Sequence, residues 1–453
     1  MTRSARFRWQ VAGCALLLAG APPGLEGQGA PPLRLTMGEA ARLAAAQHGG
    51  VEVARTRVTQ AAARANQRRS ALFPDLAAAI QQAERTINSA TFGFSFLNPA
   101  TGKPMMRPDG EILGPVPTVD LRYRLQAPLL DLGRLGSWRA AQAATTAADA
   151  EVTVQAAVAA ANAAAVYVRA ARAQAQVAAR TADSALAADL VRMARDQLTA
   201  GVGIALDVTR AEAQLAGIRA QIIGARAERD RTLLELRRVT GSADRTVIEL
   251  ADSLAGLPIA DVPSEAVAVR AATEDRPDVK ALEAVERTQA QQAKAIRWER
   301  TPQLGFVVDH GVIGRTFERL LPTYTWGLQL SVGLFDGFRR AARIEEQVAI
   351  TRETQVRLRD LRAQGALEAR GALLELDATR EQLAAVRERL RLAELEVSQA
   401  QERFRAGVTG NGEVITALLS LTQARTLRND ALAAYQGARI ALARAMGDLT
   451  LLR

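Results

Sequence analysis

The sequence predicts a mainly α-helical protein with a small β part, built from a duplicated helix, strand, strand, long helix, helix unit. Three observations predict it. All 16 prolines fall in a few places, leaving 129–257 and 323–453 free of them; proline is expensive inside a helix, so both blocks read as long helices. Hydrophobic spacing switches from three-and-four to strict alternation just before each block. Finally, "DQLTAGVGIALDVTRAEAQL" near residue 200 returns as "ERFRAGVTGNGEVITALLSL" at 401–420, with Gly407 over Gly201, Val408 over Val202 and Glu413 over Asp207.

The N-terminus, 1–29, reads as a signal peptide: Arg3, Arg6 and Arg8, then "VAGCALLLAGA", then small residues and prolines. "VAGC" looks like a lipoprotein box, but Cys14 lacks an apolar run before it. Cys14 is the only cysteine, so the mature chain is expected to carry no disulfide. No later run reaches 18 consecutive apolar residues, and no membrane-spanning helix is expected.

The first repeat occupies 30–250, with strands at about 74–88 and 117–128. Val119, Leu121, Tyr123, Leu125 and Ala127 alternate with Asp120, Arg122, Arg124 and Gln126, giving one apolar and one polar face. If the apolar face meets lipid, Arg122 and Arg124 face inward. A long helix runs from "PLLDLGR" (128–134) to a tip at about 200–207, where Gly201 ends it as a left-handed cap residue. A second helix returns antiparallel over 206–240. A linker, 251–275, precedes the second repeat, 276–453. Its strands are expected at about 302–312 and 323–334, and its tip at about 406–413. From Phe338 to Ala406 the helix would span about 100 Å at 1.5 Å per residue, longer than any single globular core. Its seam runs Leu358, Leu361, Gly365, Glu368, Ala372, Leu376, Thr379, Leu383, Val386, Leu390, Ala393, Val397, Ala400 and Phe404, a coiled-coil pattern with one stutter near Ala372. The first long helix has a weaker seam: Val166, Ala170, Ala173, Val177, Val191 and Leu198.

Strands of about ten residues suit a tilted bilayer crossing. Four strands cannot close a barrel, because about eight is the minimum and an open edge in lipid strands its backbone groups. Three chains would give twelve strands; a dimer also satisfies the count. The net charge of +10 is mostly arginine alternating with glutamate, which reads as solvated helix faces and not a nucleic-acid surface. His48 and His310 are isolated. No metal-ligand cluster, nucleophile constellation or phosphate loop appears, so neither cofactor nor enzyme activity is expected.

The duplicated strand-pair and hairpin units, "PLLDLGR" and "GLFDGFRR", "RPDVKALEA" (276–284), the two tips and "RAMGDL" (444–449) together resemble the TolC family of outer-membrane efflux proteins, over nearly the whole mature chain. The resemblance implies a homotrimer: a shared twelve-stranded transmembrane β-barrel continued by a trimeric α-barrel across the periplasm. It implies an exit duct in the outer membrane lipid, docked through its tips to a periplasmic adaptor and driven indirectly by an inner-membrane pump of RND or ABC type. Gly201, Val202, Gly407 and Val408 would form the docking tips, or merely cap helices. Glu413 falls on an acidic pore-constriction position. The second acidic position falls on Thr416, the aromatic gate on Phe404 and its basic partner on Thr409, so one acidic ring is expected without the polar latch. For Glu413 and Asp207 the competing reading is an acid complementing a helix N-terminus. Phe73, Trp138, Trp298, Phe335 and Phe338 cluster at strand–helix junctions, as an interfacial girdle or as junction packing. A periplasmic coiled-coil scaffold without channel activity is the alternative function.

Overall fold

The structure, a computed structural model, describes residues 32–94, 97–107, 109–242, 247–257 and 262–448. The expected signal peptide, with Cys14, lies outside them, as does Leu449 at the end of "RAMGDL". The first copy contains β1 (Leu33–Leu35), α1 (Met37–Gln47), α2 (Gly49–Ser70), β2 (Asp75–Asn88), β3 (Ile112–Leu130), α3 (Leu132–Thr199) and α4 (Ala205–Thr240). The second opens earlier than the expected 276, with β4 (Ile248–Leu250) at the end of the span assigned to the first repeat and α5 (Glu265–Glu274) within the expected linker; α6 (Pro277–Trp298), β5 (Gln303–Gly314), β6 (Leu320–Ser331), α7 (Arg339–Arg405) and α8 (Asn411–Met446) follow. The two halves are also stitched by a short parallel pair, β1 with β4. Helices α3 and α7, of 68 and 67 residues, are each roughly 100 Å long.

The repeated L-[LF]-D element acquires a physical meaning here. Asp131 caps α3, accepting a hydrogen bond from the Arg134 amide at 2.9 Å. Asp336 accepts from the Arg340 amide at 3.2 Å. A carboxylate therefore satisfies orphan amides where each long helix leaves the sheet. Three boundaries differ from the alternation, the simplest being β6, which begins at Leu320, opposite Gly314. β3 starts at Ile112, because Ile112 and Leu113 pair with Asn88 and Ile87 beyond an irregularity in the ladder. β6 stops at Ser331, opposite Gln303; the residue before Gln303 is Pro302, which has no amide with which to extend the ladder.

The α7 seam is largely buried, with Leu358, Gly365, Leu376, Leu383, Ala393, Val397 and Phe404 turned inward. The stutter is resolved by Ala369, fully buried where the seam pattern had placed Glu368. The Glu368 side chain instead takes a hydrogen bond from Arg276 Nη1 at 2.5 Å. In α3, Val166, Ala170, Ala173 and Val191 are buried, but Leu198 is 40% exposed at the tip. One stretch of α3 is apolar enough over 18 residues to cross a membrane by composition. Within this helix Ala159, Ala160, Ala161, Ala163 and Ala164 lie in the core with Tyr167 and Leu236, so the alternating sheet, not this helix, is the membrane candidate.

Arg276, only 11% exposed in its side chain, joins Asp278 (2.7 Å) and Glu368 (2.5 Å), tying the start of α6 to α7. Burial raises both carboxyls, but the hydrogen bonds and charge of Arg276 outweigh it and leave both below their ordinary values of 3.8 and 4.5. A depressed carboxyl contributes stability that is present above its unfolded value and lost as pH falls through the folded one. Thermal stability is therefore expected to fall as pH drops below about 4.5. In Glu368→Gln the loss over that window should be smaller, measured by pH-dependent melting of the two proteins side by side.

Candidate functional site: an amphipathic sheet and two helical tips

Strands β2, β3, β5 and β6 form one antiparallel sheet in that order, leaving β2 and β6 as edges. Paired residues of an antiparallel ladder share a face, so register assigns every side chain. Leu76, Leu125, Val308 and Trp326 form one row across the sheet; Ala78, Tyr123, His310 and Tyr324 form the next. Apart from His310 these rows are apolar or aromatic, and the face is open in the single chain: Trp326 is 66% exposed and Leu328 is 64% exposed. His310 belongs to it, stacked on Tyr123 with ring centres 5.1 Å apart.

The opposite face carries Ala77, Arg124, Asp309 and Thr325 in one row and Ala79, Arg122, Gly311 and Thr323 in the next. Asp309 accepts from Arg122 Nη1 at 2.5 Å and from Arg124 Nη2 at 2.8 Å, and Asp120 pairs with Arg122 at 3.1 Å. Arg122 Nη2 also donates to Thr323 at 3.3 Å. The polar face is thus a linked charge network crossing β3, β5 and β6. A sheet with one largely apolar face, one charged face and two unpaired edges cannot rest alone in water or in lipid.

At the far end of the helices, each hairpin turns on a glycine in the left-handed region, Gly201 at φ 75° and Gly407 at φ 71°. Both turns close in the same way. Val202 N donates to Gln197 O and Gly201 N to Leu198 O; Val408 N donates to Arg403 O and Gly407 N to Phe404 O. This is the two-bond helix stop that glycine permits. It leaves Val202 and Val408 projecting, 79% and 67% exposed. Asp207 and Glu413 occupy the same place, the third residue of α4 and of α8, where an acid complements the helix N-terminus. Their surroundings differ. Asp207 is buried, whereas Glu413 is half exposed and pairs with Arg403 at 3.4 Å.

Phe404 is corrected by the structure. It is 2% exposed and packs with Val397, Val414, Leu418 and Leu421, so its ring fills the hairpin core and cannot line a constriction. Thr416 is exposed and hydrogen-bonds back to Gly412 O at 2.9 Å. The Thr409 hydroxyl is buried with no hydrogen-bond partner among the described residues. Two residues the sequence reading passed over join the tips. Asn411 Nδ2 donates to Asp207 O at 2.5 Å, and Gln197 Nε2 donates to Phe404 O at 2.8 Å. Both are side-chain amides at helix ends that reach across to the other hairpin, a residue type too common in turns to single out by pattern.

At the opposite junction, Phe335 and Phe338 are 76% and 75% exposed and meet edge to face at 5.5 Å. Phe73 is exposed beneath Arg69. Trp138 and Trp298 are half-buried, and Arg139 and Lys294 lie over the Trp298 ring at 5.6 and 4.9 Å.

The family model described as outer membrane efflux protein matches residues 40–242 and 268–448. No curated protein sequence matches the chain. Among solved structures, the fold is similar to the CmeC outer membrane channel of Campylobacter jejuni, at 16% identity, TM-score 0.71, over 91% of this chain and 85% of that one. It is similar to VceC of Vibrio cholerae, at 17% identity, TM-score 0.69, over 91% and 96%. It is also similar to the open state of the MtrE outer membrane channel of Neisseria gonorrhoeae, at 14% identity, TM-score 0.73, over 91% and 89%. The two matched blocks fall on the two structural repeats, and the chain belongs to the outer membrane efflux protein family, with its place in the outer membrane.

Proposed function

We propose that three copies share one barrel and form a passive exit duct, docked at its tips to a periplasmic adaptor and energised by an inner-membrane pump. The observation that carries this reading is the four-stranded sheet, apolar on one face, charged on the other and unpaired at both edges. Three sheets supply twelve strands, above the minimum of about eight for a closed barrel. Closure would turn the apolar face to lipid and the Arg122–Asp309 network to the lumen. The roughly 100 Å helices would carry the conduit across the periplasm. The exposed Val202 and Val408 are suited to an adaptor contact. Glu413 would place three carboxylates near the axis, each partly offset by Arg403; such rings favour cations. With Thr416 and Thr409 uncharged and Phe404 in the core, closure would rest on helix packing and this ring.

Planar-bilayer conductance of the detergent-purified protein tests the proposal. Discrete channels with a cation preference that falls in Glu413→Gln support a duct with an acidic constriction. Unchanged selectivity keeps the duct and reduces Glu413 to a helix-end charge. Folded protein that never inserts supports the periplasmic scaffold instead.

A further inference from the structure

The rim where the sheet meets the helices has an unbalanced charge. All four strands end there: Asp75 lies opposite Gln126, Leu130 opposite Leu304, and Gln303 opposite Ser331. The eight residues adjoining each strand end hold six arginines and three acids. The three acids are already engaged within the chain: Asp131 with Arg134 at 3.0 Å, Asp336 with Arg340 at 3.0 Å and Glu299 with Arg343 at 2.7 Å. Arg68, Arg69, Arg297, Arg300 and Arg339 are exposed and have no carboxylate partner within 4 Å among the described residues. Asp75, the first residue of β2, is the one nearby acid without an ion pair among the described residues.

These five guanidiniums share the rim with exposed apolar side chains. Leu334 is 94% exposed, beside Phe335 and Phe338. Arg69 stands 5.7 Å from the Phe73 ring centre. Exposed aromatic rings and arginines sharing one rim match the two layers of a leaflet, acyl chain and headgroup. A guanidinium fork suits the paired oxygens of a phosphodiester.

We infer that this rim is a binding belt for anionic phospholipid headgroups in the periplasmic leaflet of the outer membrane. Charge complementarity and continuity with the apolar face of the sheet both point to lipid as the occupant. The inference rests on the barrel reading above. The arginines anchor the depth of the barrel and gather phosphatidylglycerol-type lipids around it, while the aromatic rings hold the acyl boundary.

The test uses the full mature protein reconstituted in vesicles of phosphatidylcholine with increasing phosphatidylglycerol, the acyl chains of one or the other brominated. Bromine quenches the fluorescence of Trp138, Trp298 and Trp326, reporting which lipid adjoins the protein. The expected preference for phosphatidylglycerol is about fivefold, the effect of roughly one interfacial charge. It should fall to about twofold in Arg297→Gln/Arg300→Gln/Arg339→Gln, which leaves Arg68 and Arg69 of the five, and to about one when those two are changed to Gln as well. Equal quenching by both lipids in the wild type overturns the belt, as does a preference untouched in the triple variant. Conductance is recorded from the same vesicles. Protein that conducts but shows no lipid preference refutes the belt alone; protein that is folded yet neither conducts nor is quenched refutes the barrel. Free inorganic phosphate is added in a further arm, and abolition of the preference at millimolar phosphate would mark a simple anion site and overturn the lipid assignment.

Discussion

A Val308→Arg chain is expected not to accumulate in the outer membrane, whereas Thr325→Arg is expected to assemble normally. Val308 sits near the middle of β5 and pairs with Leu125 on one side and Trp326 on the other. Thr325 pairs with Asp309 on the opposite face. Arginine on the lipid face of a barrel costs about 2–4 kcal/mol near the bilayer midplane and much less near its edges. In a trimer the cost is met three times, roughly 6–12 kcal/mol, comparable to the net stability of an ordinary domain. At position 325 the new guanidinium would join Arg122, Arg124 and Asp309 in the lumen and leave lipid contact unchanged. The measurement is the amount of urea-resistant, membrane-fraction protein for each variant. Equal loss from both would mean the register does not separate a lipid face from a lumen face. Equal accumulation of both would mean that the sheet is not embedded.

Much of this architecture was legible because two independent periods coincide with proline placement. Alternation in 119–127 and 326–334, the long seam of α7 and the two glycine tips each depend on local rules: pleat, helical pitch and left-handed backbone. What escaped depended on which surfaces meet. Phe404 is the instructive residue. It terminates the α7 seam and also falls on the aromatic gate position of the resembling family. The period placed it inside the hairpin, and the structure agrees at 2% exposure; the alignment placed it in the pore. Position in the family pattern carries no information about which way this ring faces, while heptad phase does. Glu368 fails in the opposite sense. A stutter leaves two neighbouring positions eligible for the seam, and the choice falls to burial energetics. Ala369 enters at no polar cost, and Glu368 stays partly exposed, 27% in its side chain, beside Arg276. The extension of β3 to Ile112 was hidden because Pro115 and Pro117 interrupt it, and proline argues against strand unless the cross-strand partner does not need the amide.

The charged knot between the hairpins is the other feature no period announces, and removing its centre is expected to have a large local effect. Asp183, 3% exposed in its side chain, lies in α3 among alanines. Its Oδ1 accepts from Arg425 Nη1 at 2.6 Å, and its Oδ2 accepts from Thr422 at 3.0 Å and from Arg180 at 3.3 Å. Arg180 reaches onward to Thr426 at 3.1 Å. Thr422, Arg425 and Thr426 all lie on α8, so one carboxylate holds the first hairpin to the second. Asp183→Leu would leave two arginines facing each other without an anion. Breaking a buried pair in this way costs about 3–5 kcal/mol; the arginines here are 15% and 21% exposed, so the lower end applies. About 3 kcal/mol of lost local stability corresponds to amide exchange on the order of a hundredfold faster where exchange follows local opening. The expected result is that acceleration in 176–190 and 420–432, with exchange in the barrel strands unchanged. In Asp183→Leu/Arg425→Met much of it should be recovered, because replacing an ion pair with apolar groups of similar volume is often close to neutral. Acceleration spread over the whole chain would assign Asp183 to global folding. No acceleration would mean that the alanine packing of α3 on α8 holds the hairpins together without the charge.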